Sequence, residues 1–255
     1  MIFIIIILLI VSLVVIAIIV NAIQQHKNKV ETEKRTQIAK QKSVISDTEN
    51  AIMAAQHIPV TQHLLFILHR RILNALKSMQ QLNPAMADIR QRIKSTDEVL
   101  KTIKVNQPPP PEEAFHLPTD DKQVIQFIKG IKNMRNLLRS EHRKSQVDSK
   151  TFVFEDKLLE RIQLRANVDT LMRRGEAAVA ANQLGSARQS MEKAIAALAS
   201  QSNPDDYIVA RKAQLEEQLR NIQDSLRTAN TEDMLKKQES ERDELDELFA
   251  EKKKW

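Results

Sequence analysis

The chain has 255 residues, of which three are Gly and none is Cys, with 4% aromatic and 28% charged residues. Without Cys there are no disulfides, no zinc–thiolate sites and no cysteine nucleophile. The formal charge of +6 is unevenly spread: residues 24–104 hold 14 Lys/Arg against 7 Asp/Glu, and residues 105–255 hold 25 against 26. The positive charge therefore lies next to the N-terminal segment, where an anionic lipid surface is a nearer partner than nucleic acid. Abundant Ala, Leu, Gln, Lys, Arg and Glu predict an all-α fold.

From Ile2 to Val20 only Ser12 is polar, and with Ala22 and Ile23 the apolar run reaches about 22 residues. As a helix that is about 33 Å long, enough for a hydrocarbon core of about 30 Å. Signal peptides usually carry a basic start and a shorter apolar core. The small-residue triplet Val20-Asn21-Ala22 keeps cleavage open as an alternative. Lys27, Lys29, Lys34 and Arg35 follow the run and nothing basic precedes it. The positive-inside rule then puts the N-terminus outside and the body in the cytoplasm, at the inner (cytoplasmic) membrane. Residues 1–23 are expected to be a retained transmembrane anchor. The basic residues between 27 and 42 are expected to face anionic headgroups.

Residues 24–105 read as a basic, membrane-proximal helical region. Ile38, Ile45 and Ile52 recur every seven residues, a seam of barely three heptads that suits one partner helix or a short coiled coil. A solvated stalk is the alternative. Pro59 interrupts this pattern. A greasier helix is expected from Thr61, with Leu64, Leu65, Leu68, Ile72, Leu76 and Met79 on its apolar face. Asn83-Pro84 reads as the cap of another helix, which carries Met86, Ile89, Ile93 and Leu100 to about Lys104. Residues 106–118 contain four consecutive prolines and form a stiff polyproline linker or, alternatively, a docking segment.

Residues 119–228 are expected to form a second helical domain. Thr119-Asp120-Asp121 supplies a cap and first-turn acids. Val124, Phe127, Ile128, Ile131, Met134, Leu137 and Leu138 give an apolar face. Lys129, Lys132 and Arg135 lie on a cationic face that can meet lipid headgroups or phosphates. "KTFVF" (150–154) is the only strand-like stretch, too short to make a sheet alone. A helix is expected from about Phe154, and the segment from Leu171 to Leu198 reads as helix, turn, helix around "NQLGS".

Leu171, Gly175, Leu184, Ala187, Met191 and Ala194 alternate large and small residues at fixed spacings. Over residues 168–201 this pattern resembles a single tetratricopeptide repeat. Arg174, Ala178 and the late Pro204 depart from it. An ordinary Ala-rich helical hairpin is the alternative. The resemblance implies protein or peptide binding and no chemistry, with Arg173, Arg174, Ala177 and Asn182 near the groove. Pro204 then opens another helix whose edge carries Ile208, Leu215, Leu219, Ile222 and Leu226. Residues 229–255 form a charged tail. Within it Leu245, Leu248 and Phe249 could dock as a helical edge into a partner's groove, or belong to the frayed end of a long helix.

Catalytic signatures are missing. Gly130, Gly175 and Gly185 cannot build a phosphate-cradling loop. His57, His63 and His69 recur every six residues, which does not place them on one helical face, and no metal-ligand spacing occurs. The expectation is therefore a non-catalytic, cofactor-free scaffold or adaptor that holds a protein partner at the inner membrane, with homo-oligomerisation open. Its layout looks like that of bacterial division and envelope adaptors. The alternative is a membrane-tethered nucleic-acid binder using the basic helical faces.

Overall fold

A computed structural model of the chain describes residues 2–111, 115–201 and 204–249. The side chains of residues 2–12, 14–18, 240, 241 and 243–249 fall outside that description. Among the described residues there are seven helices and no strand: α1 (Ile2–Ala55), α2 (Gln62–Leu82), α3 (Ala87–Thr102), α4 (Asp121–Arg143), α5 (Ser149–Ala180), α6 (Leu184–Ala199) and α7 (Asp206–Phe249). The fold is all-α. By its internal contacts the chain forms two compact units, Met1–Phe115 with Lys129–Asp156, and His116–Ile128 with Lys157–Trp255.

In the first unit α1 packs on α2, and α2 packs on α3. The seam read from the sequence supplies this contact. Ile45 is buried with Ile72, Ala75, Leu76, Met79 and Ile89, and Ile38 and Ile52 lie half-buried against them. The partner helix of that seam is thus α2 of the same chain. Thr61 caps α2: its Oγ1 accepts from the Leu64 amide at 3.0 Å. Burial on α2 is wider than the expected face, because Ile67, Leu73 and Ala75 are covered as well. Burying each of Leu64, Leu68 and Leu76 contributes about 1.5–3 kcal/mol. Gly130 of α4 lies where a Cβ would meet the Ala54 Cβ at 2.8 Å, so the helix backbone comes very close to the end of α1.

Several element boundaries differ from the sequence reading. Asn83 does not cap α3; its Oδ1 accepts from the Ala85 amide at 3.3 Å in a turn, and the helix starts at Ala87. "KTFVF" is helical. Asp148 Oδ2 accepts from the Thr151 amide at 2.9 Å and starts α5 five residues before Phe154. With no neighbouring strand to pair with, that segment's β-type residues cannot satisfy their backbone as a strand, and the cap decides.

In the second unit, Leu164, Val168 and Met172 of α5, Ala187, Met191, Ala194 and Leu198 of α6, and Ile208, Leu215 and Ile222 of α7 share one core. The turn between α5 and α6 takes its left-handed residue from Asn182, at φ 57°, rather than from Gly185, which lies inside α6. Asp205 caps α7 by accepting from the Ile208 amide at 2.9 Å; Asn203 lies outside the described residues. No break marks residue 228. α7 runs on through the segment read as a tail, and all of 227–239 is exposed.

Among the described residues no helix is long and apolar enough to cross a membrane. The expected anchor falls on residues 1–23. Their backbone from Ile2 onward belongs to α1, but apart from Leu13 the side chains before Ile19 lie outside the described residues.

The two tight glycines separate by what stands opposite. At Gly175 a Cβ would meet the flexible Met191 Cε at 2.6 Å, which can swing aside. At Gly130 it would meet a Cβ fixed to backbone. Gly130→Ala is expected to cost about 1–2 kcal/mol net, overpacking outweighing the helix-propensity gain. Gly175→Ala is expected to stay within about 0.5 kcal/mol of the parent. Thermal unfolding of both variants checks this, and equal losses would refute the distinction.

Candidate interaction surfaces

Arg71 is the cation that α2 places on its own apolar face, one position before Ile72 and three after Leu68. It is 8% exposed. Its Nη1 donates to Glu141 of α4, itself 4% exposed. Nη1 also reaches Ser140 Oγ at 3.4 Å, and Nε donates to Thr48 Oγ1 of α1 at 3.1 Å. Thr48 in turn donates to the Val44 carbonyl at 2.6 Å. One guanidinium therefore ties α1, α2 and α4 together. Among the described residues Nη2 makes no hydrogen bond. An open cleft of about 410 Å³ lies over this network, lined among others by Arg71, Asn74, Lys77, Ser78, Glu141 and Lys144. Lys144 Nζ lies 3.1 Å from Glu141. Arg70 donates to the Gln146 carbonyl and closes one end of the turn after α4.

A second buried acid, Glu155, is 1% exposed. Its Oε2 accepts from the capping hydroxyl of Thr61 at 2.6 Å, and its Oε1 has no hydrogen-bond partner. Burial pushes its pKa up, and the Thr61 hydrogen bond and nearby His63 offset this only in part. Arg135 forks onto Asp156, at 2.8 and 3.0 Å. That hydrogen bond first, and the charges of Arg135 and Arg139 after it, hold the Asp156 carboxyl below its usual range against some burial.

In the second unit Arg165 and Arg211 stand over Tyr207, at 4.6 and 5.6 Å from the ring centre. Arg211 pairs with Asp169 at 3.1 Å, and Arg161 with Asp205 at 2.8 Å. These contacts pin the start of α7 to α5. Cation–π contacts of this kind contribute about 0.5–2 kcal/mol each.

The residues singled out from sequence fall in different places. On the α5–α6 hairpin Arg173 is half-buried, while Arg174, Ala177 and Asn182 are exposed. Arg174 comes within 3.9 Å of Asp121, and Asn182 is committed to the turn by its positive φ. Leu245, Leu248 and Phe249 belong to α7 by backbone, but their side chains lie outside the described residues. Lys27, Lys29, Lys34 and Arg35 are all exposed on α1, with Arg35 paired to Glu31 at 2.7 Å. Lys129 and Lys132 are exposed, whereas Arg135 is engaged by Asp156 and does not stand free as a phosphate contact. His63 and His69 are half-buried on α2, and burial lowers the His69 pKa. Among the described residues no group of His, Asp and Glu could hold a metal. Sequence reading passed over Arg71 and Glu141. Their signal was a charge at a core register of an otherwise apolar helix face.

No family model, no curated protein and no solved structure matches this chain.

Two outcomes follow from the buried charges. Arg71→Met leaves the buried Glu141 with the exposed Lys144 in place of a buried guanidinium and is expected to cost about 3–5 kcal/mol, most of it recovered by adding Glu141→Leu. Chemical denaturation of the two variants checks this; no recovery in the double variant would overturn it. Glu155 binds its proton more tightly folded than unfolded. Its stabilising contribution is present below the unfolded pKa and is lost as pH rises through the raised folded value. Glu155→Gln is therefore expected to raise the melting temperature at pH 7 by about 2–4 °C, with a smaller gain at pH 4. A gain independent of pH would contradict the assignment.

Proposed function

We propose that the protein is a non-catalytic, membrane-anchored helical scaffold that holds a protein partner at the inner membrane. One observation carries the reading. α1 is an unbroken helix of 54 residues, and it joins three stretches of different chemistry. Its first part is the apolar run of about 22 residues, its middle is the exposed basic collar at Lys27, Lys29, Lys34 and Arg35, and its end is buried against α2. The apolar length suits a bilayer core, and the collar suits the positive-inside orientation with anionic headgroups beside it. A rigid connection would confine the body near the bilayer and raise its effective concentration for other membrane-bound proteins.

The exposed edge of the α5–α6 hairpin, with Arg174, Ala177 and Asn182, and the outer half of α7 are the surfaces offered to a partner. Their helix–turn–helix arrangement, with Gly175 against Met191 and Ala187 and Ala194 buried, is a close helical hairpin, as both the tetratricopeptide-like reading and the ordinary-hairpin alternative require. On the nucleic-acid reading Arg135 would have to leave Asp156, and only Lys129 and Lys132 remain exposed of the three cations it needs.

Alkaline carbonate extraction of cell membranes is expected to leave the full chain in the pellet and to release a variant lacking residues 1–23. Release of the full chain would sink the anchor. Crosslinking followed by mass spectrometry is expected to recover one recurrent protein, lost on changing Arg174 and Asn182 or on deleting 240–255. Recovery of nucleic acid with no protein would promote the alternative.

A further inference from the structure

The cleft over Arg71 is built from three elements of the first unit. α1 gives Val44, α2 gives Arg71, Asn74, Lys77 and Ser78, and α4 gives Glu141. Its floor holds a guanidinium fixed by three partners, Thr48, Ser140 and Glu141. Fixing an arginine this way removes the rotamer entropy that a ligand would otherwise have to offset. Among the described residues Nη2 makes no hydrogen bond, and it is not one of the fully buried atoms without a partner, although Arg71 as a whole is more than nine-tenths buried. A buried cation with a spare donor beneath an open cleft is half of an ion-binding site.

The walls supply the rest. Lys77 and Lys144 are exposed along the cleft, and Ser78 and Asn74 carry a hydroxyl and an amide there. Three cations against the single carboxylate of Glu141 leave the lining with two uncompensated positive charges. A phosphate monoester carries about −1.5 to −2 at pH 7 and three acceptor oxygens, and so matches that charge. A carboxylate would leave half of it unmatched. Because Glu141 is already shared between Arg71 and Lys144, an incoming dianion can take the Lys144 ammonium without stranding the buried acid. We propose that this cleft is a phosphate-binding site that takes the phosphate-monoester group of a soluble ligand.

The source of the phosphate follows from α1 and rests on the anchor reading. Gln41, the first residue of the lining, is 18 residues beyond Ile23, about 27 Å along the helix. The field of an anionic bilayer falls off over about 8 Å at physiological salt. Headgroups serve the collar at Lys27–Arg35, and the cleft lies beyond their reach.

The test uses the full chain in detergent, with inorganic phosphate as probe at constant ionic strength. Calorimetric titration is expected to show saturable binding that weakens at least ten-fold in the Lys77→Gln/Lys144→Gln variant. Both side chains are exposed and Arg71 still neutralises Glu141 when Lys144 is replaced, so only a small shift in thermal unfolding without phosphate is expected alongside. Affinity is expected to fall as acidification below neutral pH removes the probe's second charge. Equal affinity in the variant, or equal affinity for acetate, would overturn the site. In nanodiscs, phosphate affinity is expected to be the same with and without phosphatidic acid. Competition by that lipid would overturn the soluble source. Detergent titration does not depend on membrane insertion. Carbonate release of the chain would therefore remove only the argument about source and leave the phosphate result standing.

Discussion

The guanidinium of Arg71 sits where an apolar side chain would ordinarily close the bundle. Desolvating that charge is costly, and only specific geometry offsets it. Thr48 on α1 and Ser140 and Glu141 on α4 must each arrive at the right rotation and height. Leucine-on-leucine packing tolerates small slips along a helix axis, whereas hydrogen bonds at about 3 Å do not. The pair thereby sets the register of three helices that the apolar core alone would leave loosely specified. The same demand explains why α2 can bury a wide face and still have a defined orientation.

Around that constraint the first unit is tight in some places and open in others. Gly130 lets α4 approach the last turn of α1 with only the Ala54 methyl facing its backbone. Thr61 serves two masters, capping α2 and donating to the buried Glu155. The middle of α2 and the turn after α4 are joined by Arg70 and Gln146. These polar contacts cluster at helix ends, where backbone groups lack partners and side chains can supply them. In the second unit the corresponding task falls to the Arg165–Tyr207–Arg211 stack and Asp169, again near a helix start.

Much of this was legible in the chain. The heptad isoleucines of α1, the face of α2 and the Ala187/Met191/Ala194 stripe of α6 announced their burial, because period and hydrophobicity are local properties. The boundaries were less legible. Asn83-Pro84 has the chemistry of a cap, but the chain uses it as a turn. "KTFVF" has strand chemistry, but Asp148 draws it into α5. The tail read either as a docking segment or as the end of a long helix, and α7 continues through it to Phe249. Arg71, Glu141, Arg135 and Asp156 were not legible as pairs. Their meaning depends on residues 70 and 21 positions away, and a single sequence does not say which distant charge meets which.

The shape of α7 has one further consequence. Ile208, Leu215 and Ile222 bind its first half to a core, while from Arg227 to Glu239 every side chain is solvated. Thermodynamically these are two helices sharing one backbone. The inner half melts only with its unit. The outer half is held by little more than intrinsic propensity and surface charge, so heat or salt can unwind it while the core stays intact. Ordering that segment against another surface would therefore show as a gain in helix without any change in the fold behind it, making the arm a gauge of its own occupancy.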